Sequence, residues 1–332
     1  MFKNIQVKYM LGLVVIGIAA SAIAGNFKNK SNLAQAESKP KVVASHNVIC
    51  DLVKTIAQDT IDLTCLIDAN QDPHSYNPTP SDRKAIEEAQ LIFYGGYELE
   101  PQVTKLLSAT KTPKTALYEQ AVTKPMMVAE EHHDESAESA KSPAGKPKLE
   151  PDPHVWHNVE NTVKMVKLIQ AIFLQANPAA ADQYLVNSNN LTERLWELDA
   201  WIKDRIATIP EQQRVLVTTH DSLNYYVRAY YFKDYQTLQG LSDKSSPTAS
   251  QVRKLSAEIK QTGVPTIFAE ATASDRVIQN VARAADVKLS TEKLYADGLG
   301  EAKNYLEMMS HNTCAIANGL GGKCQPFSSD YR

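Results

Sequence analysis

Three histidines and an aspartate, far apart in the sequence, combine residue types and positions that suit a metal ion. His74 and Asp297 lie in loops after predicted strands, His220 directly follows a predicted strand, and His154 ends a polar segment. Three neutral imidazoles and one carboxylate form a tetrahedral set that suits Zn²⁺. The same set can hold Mn²⁺ or Fe²⁺, although these harder ions favour more oxygen ligands. A histidine taken alone is more often a structural side chain than a metal ligand. The metal-site hypothesis therefore depends on all four residues meeting in the fold.

The first half of the chain alternates strands and helices, and this pattern would position His74. Strands are predicted at 41–45, 61–67 and 91–94, with helices at 48–57 and from Pro80 onwards. Such alternation indicates βαβ units and a mainly parallel sheet. In open sheets of this kind, ligands bind beyond the carboxyl ends of the strands.

The second half repeats the alternation and would position His220 and Asp297. We therefore predict an α/β fold of two similar lobes with mainly parallel sheets, and a crevice between the lobes where the four residues meet. The strands of this half are predicted at 215–219, 266–269 and 293–295, and its helices at 250–262, 276–285 and 304–318.

One long helix is predicted between the two halves. Leu191, Leu195, Leu198 and Ile202 recur at helical spacing and form one apolar stripe. A helix of this length is long enough to brace two lobes. We place an N-terminal lobe at 37–175 with a mobile polar loop at 126–153, a linking helix at 176–210, and a C-terminal lobe at 211–332.

The N-terminus has the pattern of an export signal. Lys3 and Lys8 precede an apolar run at 10–24, which is shorter than the roughly 20 residues that a membrane-spanning helix needs. Small-x-small cleavage sites occur at 22–24 and 34–36, and the second is preferred because the ordered pattern begins just after it. The prediction is a cleaved signal peptide at 1–36 and a periplasmic protein; an uncleaved membrane anchor is the alternative.

The charge balance argues against nucleic acid as a partner. The 332 residues carry a net charge of −3, and removal of residues 1–36 takes away four lysines and no acid, which leaves −7. A protein that follows phosphates needs a basic surface. An acidic exported protein is better suited to attract cations.

Four cysteines are consistent with export. They permit three disulfide connectivities, of which we favour the two local pairs, Cys50–Cys65 and Cys314–Cys324. The sequence has no Cys-x-x-Cys motif, so structural disulfides are favoured over a thiolate metal site. The first cysteine lies well beyond the apolar run, so a lipid-modified N-terminus is not expected.

Further polar residues lie close to the predicted crevice. Asp221 has the position to accept a hydrogen bond from a ligand imidazole, although an acid at a helix N-terminus explains it equally well. Glu270 ends a strand and is either a reserve ligand or a support of the ligands, and His157 is assigned to support of the ligands or to the surface. His46, His311 and Trp156 are assigned structural roles. The adjacent His132 and His133 are assigned to a solvated loop, with weak metal capture as the alternative.

Several motifs resemble those of a known family. The segments DPHSYNPTPSD at 72–82 and DPHVW at 152–156 resemble the two N-terminal signatures of the periplasmic zinc- and manganese-binding proteins of ABC importers, the cluster A-I solute-binding proteins. The resemblance runs in order from about residue 41 to the end of the chain. The segments similar to the C-terminal signatures are THD at 219–221, FAE at 268–270, YAD at 295–297 and YLEMM at 305–309.

The resemblance implies both the ligands and the cargo. Its motifs place metal ligands at His74, His154 and Asp297, with a third position that is His in zinc-type members and usually Glu in manganese-type members; here it is His220. The segment YADGLG at 295–300 is closer to the manganese type, but we weigh the ligand more heavily because it touches the ion. The implied protein is monomeric and non-catalytic, captures Zn²⁺ in preference to Mn²⁺, and delivers it to a membrane permease.

A zinc-dependent hydrolase of the envelope is the alternative from another functional class. A catalytic zinc site keeps an open position for water and has a nearby general base. A four-ligand set leaves no such position, and the sequence has no His-Glu-x-x-His motif. The hydrolase would require that Asp297 is not a ligand and that Glu270 contacts a bound water. For either function, we expect metal affinity to fall as pH drops through about 6 to 6.5, where free imidazoles protonate.

Overall fold

The computed structural model describes residues 39–129, 148–241 and 247–328. The predicted signal peptide, together with His132 and His133, lies outside these ranges. Within them, every helix is too short or too polar to cross a membrane.

The N-terminal half is built on a four-stranded parallel sheet with the order β2-β1-β3-β4. Three of the four residues of β1 are buried, as expected for a central parallel strand of a covered sheet. The elements of this half are β1 (Lys41–Ala44), α1 (Asn47–Ala57), β2 (Asp62–Cys65), α2 (Pro80–Glu88), β3 (Leu91–Tyr94), α3 (Pro101–Leu107), β4 (Lys114–Ala116) and α4 (Leu117–Ala121).

The start of α2 fixes the end of the loop that carries His74. Thr79 and Asp82 form a capping box: the Thr79 hydroxyl accepts the Asp82 N–H (3.3 Å), and the Asp82 carboxylate accepts the Thr79 N–H (2.6 Å). Pro80 occupies the first helical position, so the predicted helix start is confirmed. The Tyr76 hydroxyl also donates to Asp82 (2.8 Å), which ties the loop to the helix.

The predicted mobile loop at 126–153 is wrong at both ends. There, β5 (Met127–Ala129) and β6 (Leu149–Pro151) pair in an antiparallel ribbon. The Asp152 N–H continues this pairing by donating to Met126 O (2.8 Å). The ribbon was hard to predict because each strand has only three residues, while the polar composition between them dominates the pattern.

Two helices lie between β6 and β7 in the chain. The sequence prediction overlooked α5 (Val159–Ala176), although Val163, Val166 and Phe173 lie on its buried face at helical spacing. The predicted linking helix is shorter than 176–210: a 3₁₀ turn at Pro178–Ala180 leads into α6 (Ala181–Ala207).

The C-terminal half contains two pairs of parallel strands, β7 with β8 and β9 with β10. The Phe268 N–H, just after β9, donates to Val217 O in β7 (3.0 Å), so the two pairs adjoin. The elements are β7 (Val215–Thr218), α7 (Asn224–Ala229), β8 (Asp234–Thr237), α8 (Ala249–Thr262), β9 (Thr266–Ile267), α9 (Asp275–Ala285), β10 (Lys288–Leu289) and α10 (Tyr305–Gly319).

The predicted strand at 293–295 is reduced to a single parallel bridge between Glu270 and Leu294. The Leu294 N–H donates to Ala269 O, and Leu294 O accepts from the Ala271 N–H, each at 2.9 Å. This bridge fixes the segment after β9 beside the segment that leads to Asp297. The fold as a whole is α/β with mainly parallel sheets and one long helix, as predicted.

Both local cysteine pairs are disulfides in the structure. Cys50 of α1 is joined to Cys65 at the end of β2, with the Cα atoms 5.8 Å apart. Cys314 of α10 is joined to Cys324, with a Cα separation of 5.0 Å. The first disulfide holds the strand that precedes the His74 loop against α1.

Candidate metal centre

The four predicted ligands lie at the ends of different elements and meet in one place. His74 lies between β2 and α2, His154 immediately precedes the turn into α5, His220 lies two residues after β7, and Asp297 lies three residues after the Leu294 bridge. One ligand atom from each of the four residues lies within 4.8 Å of all the others. All four residues are buried: His74 is 6% exposed and the others 1% or less.

Four of the six distances between the ligand atoms are close to those around a small four-coordinate ion, and all six are within 4.8 Å. Asp297 Oδ1 lies 3.6, 3.4 and 3.2 Å from the Nε2 atoms of His74, His154 and His220, respectively. The Nε2 atoms of His74 and His154 are 3.1 Å apart. Ligands about 2.0–2.1 Å from a tetrahedral ion are themselves about 3.3 Å apart. These residues could therefore hold Zn²⁺ with little rearrangement.

Asp152 orients His154, a role that the sequence prediction missed. The Asp152 carboxylate accepts from the His154 Nδ1–H and from its backbone N–H, each at 2.9 Å. A proton held on Nδ1 leaves Nε2 free to bind a metal. The repeated Asp-Pro-His motif was the available signal. In the first copy, however, Asp72 accepts only the backbone N–H of His74 (2.8 Å) and the Ser75 hydroxyl (2.6 Å) among the residues that the structure describes.

Glu270 orients His220 in the same way. One of its carboxylate oxygens pairs closely with His220 Nδ1, and the other accepts the His220 backbone N–H (3.2 Å). Glu270 is fully buried. Of the two roles predicted for Glu270, reserve ligand or support of a ligand, the structure favours support, because both of its oxygens contact His220 on the side away from the ligand atoms.

The segment that carries Asp297 is anchored on both sides. The Thr272 hydroxyl donates to Asp297 Oδ2 (2.8 Å). His46 Nε2 pairs with the carbonyl oxygen of Asp297 (2.9 Å), and His157 Nε2 pairs with that of Ala296 (2.8 Å). Both histidines are fully buried. Of the two roles predicted for His157, the structure favours support of the ligand segment over a surface position.

Asp221 does not bind an imidazole directly. Its Oδ1 accepts from Asn224 Nδ2 (2.8 Å), and the same amide donates to Asp152 Oδ2 (3.1 Å). The predicted imidazole contact of Asp221 is therefore wrong; Asp152 occupies that place because it directly precedes the His154 turn. Burial and the nearby Asp152 charge raise the pKa of Asp221 to about 6.

The remaining predicted structural residues are packed away from the ligand atoms. Trp156 is fully buried, with its ring centroid 5.4 Å from that of His154. His311 pairs through Nε2 with Lys293 O (2.8 Å) and stacks on Tyr295.

The electrostatics of the metal-free site favour two bound protons. Burial lowers the pKa of His154, but Asp152 and Asp297 outweigh burial and raise it to about 9. Asp297 and Glu270 likewise overcome burial and hold the pKa of His220 well above its usual value. The three ligand histidines hold the pKa of Asp297 well below its usual range despite burial. A divalent cation carries the same charge as the two protons it would replace.

The pKa values of the other histidines near the site are lowered, which favours their neutral forms. Burial lowers the pKa of His74, although Asp297 opposes the shift. Burial also lowers the pKa of His46 to about 4 and that of His157 to about 3. His154 and His220 are therefore the two histidines of the site whose pKa values are raised.

Comparisons with known proteins identify the family. The sequence model described as zinc-uptake complex component A, periplasmic (ZnuA), matches residues 42–319. The manganese ABC transporter substrate-binding lipoprotein PsaA of Streptococcus mitis is 30% identical over 326 residues, which cover 96% of this chain and 99% of that protein.

Solved structures agree with the sequence comparison. The periplasmic zinc-binding protein TroA from Treponema pallidum has 29% sequence identity and a TM-score of 0.75, with 85% of this chain and 99% of TroA covered. Fe(III)-bound YtgA from Chlamydia trachomatis has 26% identity and a TM-score of 0.75, with 86% and 99% covered. The chain belongs to the zinc-uptake complex component A family, the periplasmic metal-binding proteins of ABC importers.

Proposed function

We propose that the protein captures one divalent transition metal ion through His74, His154, His220 and Asp297 and delivers it to the membrane permease of an ABC importer. The convergence of these four buried side chains, with ligand atoms within 4.8 Å of one another, carries the proposal. The permease partner follows from the family. In this role the protein binds and transfers the ion and catalyses no reaction.

We propose Zn²⁺ as the preferred ion and Mn²⁺ as the second. Three nitrogen ligands and one carboxylate suit Zn²⁺ better than Mn²⁺, which favours oxygen. The separations of 3.1–3.6 Å between ligand atoms support a four-coordinate ion. Relatives are named for manganese (PsaA), zinc (TroA) and Fe(III) (YtgA), so the family alone does not choose the ion.

The proposed mature protein is exported, monomeric and free in the periplasm after removal of residues 1–36. PsaA is a lipoprotein by name, but the first cysteine of this chain, Cys50, forms a disulfide with Cys65. This pairing supports a mature protein without a lipid on Cys50. We propose that the lobes occupy 37–175 and 211–332, with α6 inside the linking segment at 176–210.

The hydrolase alternative gains no support. It requires Glu270 to face a metal-bound water, whereas Glu270 is bonded to His220 through both carboxylate oxygens. Asp297 lies among the ligand imidazoles, where the alternative needs an open position. The family consists of substrate-binding proteins of transporters rather than enzymes.

Metal titration of the mature protein tests the proposal. We expect one ion per chain, with Zn²⁺ bound more tightly than Mn²⁺ in competition, and loss of binding in His154→Ala. His311→Ala is the matched control, because His311 is bonded to Lys293 O away from the ligand atoms. Unimpaired binding by His154→Ala would contradict the proposed site, and tighter binding of Mn²⁺ would contradict the metal preference alone.

His220→Glu tests the contribution of the third imidazole to metal preference. The substitution is best made together with Glu270→Gln, because two carboxylates would otherwise face each other in a buried site. We expect the ratio of Zn²⁺ to Mn²⁺ affinity to fall at least about tenfold, since an oxygen replaces a nitrogen ligand. An unchanged ratio relative to Glu270→Gln alone would show that His220 does not discriminate between the ions.

A further inference from the structure

The two oxygens of the Asp297 carboxylate have different surroundings. Oδ1 faces the Nε2 atoms of all three ligand histidines at 3.2–3.6 Å. Oδ2 accepts a hydrogen bond from the Thr272 hydroxyl at 2.8 Å. The carboxylate is 1% exposed, so little solvent is available to replace that hydroxyl.

The backbone around Asp297 leaves the carboxylate little freedom to turn. Its carbonyl oxygen is paired with His46. Two residues upstream, the backbone N–H and carbonyl of Tyr295 are held by the Asn312 side chain at 2.8 and 2.9 Å. Two residues downstream, the Leu299 N–H donates to Asn47 Oδ1 (2.9 Å). Rotation of the side chain is therefore the remaining way to bring Oδ2 towards a bound ion.

The position of Thr272 is also fixed. Ala271, the residue before it, donates its N–H to Leu294 O at 2.9 Å. This bond lies beside the Glu270–Leu294 bridge and sets the distance from Thr272 to the segment that ends at Asp297. The hydrogen bond between Thr272 and Asp297 is thus built into the sheet edge of the C-terminal half.

We propose that Thr272 is a specificity-determining residue: by holding Oδ2, it makes Asp297 offer a single oxygen to the ion. This inference rests on the proposed function. One carboxylate oxygen and three imidazole nitrogens complete a tetrahedral shell, which Zn²⁺ accepts readily. Mn²⁺ prefers more oxygen ligands, and a bidentate Asp297 would supply a fifth donor atom. The Thr272 hydroxyl therefore selects against the ion that needs the larger shell.

Thr272→Val and Thr272→Ala test the proposal, with Thr272→Ser as the conservative variant that keeps the hydroxyl. Thr219→Val is a matched control: Thr219 lies beside His220 and is 2% exposed, and its hydroxyl has no hydrogen-bond partner among the residues that the structure describes. Competitive titration gives the ratio of Zn²⁺ to Mn²⁺ affinity. The absorption spectrum of bound Co²⁺ reports the coordination number independently of affinity.

We expect the Zn²⁺-to-Mn²⁺ affinity ratio to fall about tenfold in Thr272→Val and Thr272→Ala, a change of one decade that competition resolves readily. The intense four-coordinate Co²⁺ bands should weaken in the same two variants, and both readouts should match the wild type in Thr272→Ser and Thr219→Val. An unchanged ratio and spectrum in both the valine and alanine variants, with one ion still bound per chain, would overturn the role of Thr272 alone. Failure of the wild type to bind any of the three ions would overturn the proposed function itself.

Discussion

At the scale of single residues, the two Asp-Pro-His motifs show how one local pattern serves two purposes. Asp72 and Asp152 both accept the backbone N–H of the histidine two residues later. Only Asp152 also accepts the ring Nδ1–H of its histidine, His154. The second aspartate therefore sets the tautomer of a ligand, whereas the first only shapes the loop around His74.

This difference predicts unequal effects of the same substitution. Asp152→Ala should lower metal affinity about 10–100-fold, the range observed when the partner of a ligand histidine is removed. Asp72→Ala should have a much smaller effect, because the His74 ring makes no hydrogen bond with Asp72. Competitive zinc titration of the two variants measures both effects. Equal losses of affinity would contradict the assigned role of Asp152.

Proton release on metal binding follows from the charges at the site. The pKa of His154 is raised to about 9 and that of His220 is raised well above its usual value, so we expect both side chains to carry protons at pH 7 in the metal-free protein. Metal binding must displace these protons, so about two should be released per ion. Affinity should therefore fall as pH decreases, and the fall should begin near pH 9. The sequence-based expectation of a fall through pH 6 to 6.5 considered free imidazoles and did not include the buried carboxylates.

Calorimetric titration in buffers of different ionisation enthalpy counts these protons. Glu270→Gln provides a control, because it removes one of the two negative charges that raise the pKa of His220. Fewer protons should then be released at pH 7. A binding enthalpy that is independent of the buffer in the wild type would contradict the prediction.

At the scale of the elements, α6 packs against elements of both halves. It packs against α1 and α5, which precede it in the chain, and against α10, which follows it. The apolar stripe that predicted this helix is buried along its length, from Leu191 at 8% exposure to Ile202 at 0%. The stripe is therefore part of the core that both halves share.

Neighbouring residues of α6 should differ sharply in their contribution to stability. Leu195 is fully buried, whereas Trp196 is 45% exposed. Leu195→Ala should lower the free energy of unfolding by about 2–5 kcal/mol, because it leaves a cavity in a packed core. Trp196→Ala should cost clearly less, since much of its surface already faces solvent. Urea unfolding of both variants measures the difference, and equal losses would contradict the packing assigned to α6.

At the scale of the whole molecule, the metal centre joins distant parts of the described chain. His74 and His154 come from the part before α5, and His220 and Asp297 from the part after α6. The ligand atoms already lie at separations suited to an ion. Binding therefore requires the exchange of protons for metal more than a large movement of one half against the other.

Solution scattering tests this limited closure. We expect the radius of gyration to be nearly the same in the metal-free and the zinc-loaded protein, because α6 braces both halves and the ligands are already close together. Samples treated with chelator and then reloaded provide the control for reversibility. A clear compaction on adding zinc would contradict a stiff connection.

The sequence by itself predicted the four candidate ligand residues, and it determined the α/β class, the long helix and the capped start of α2. Each depends on information that is local in the chain, such as side-chain chemistry, apolar periodicity or a motif of a few residues. Only the tertiary structure decided that Asp152 and Glu270 orient ligands, that Asp221 does not, and that Thr272 holds Asp297. The His220–Glu270 pair spans 50 residues and the Thr272–Asp297 pair 25. Such contacts depend on how the strands pack and pair, which local residue patterns do not encode.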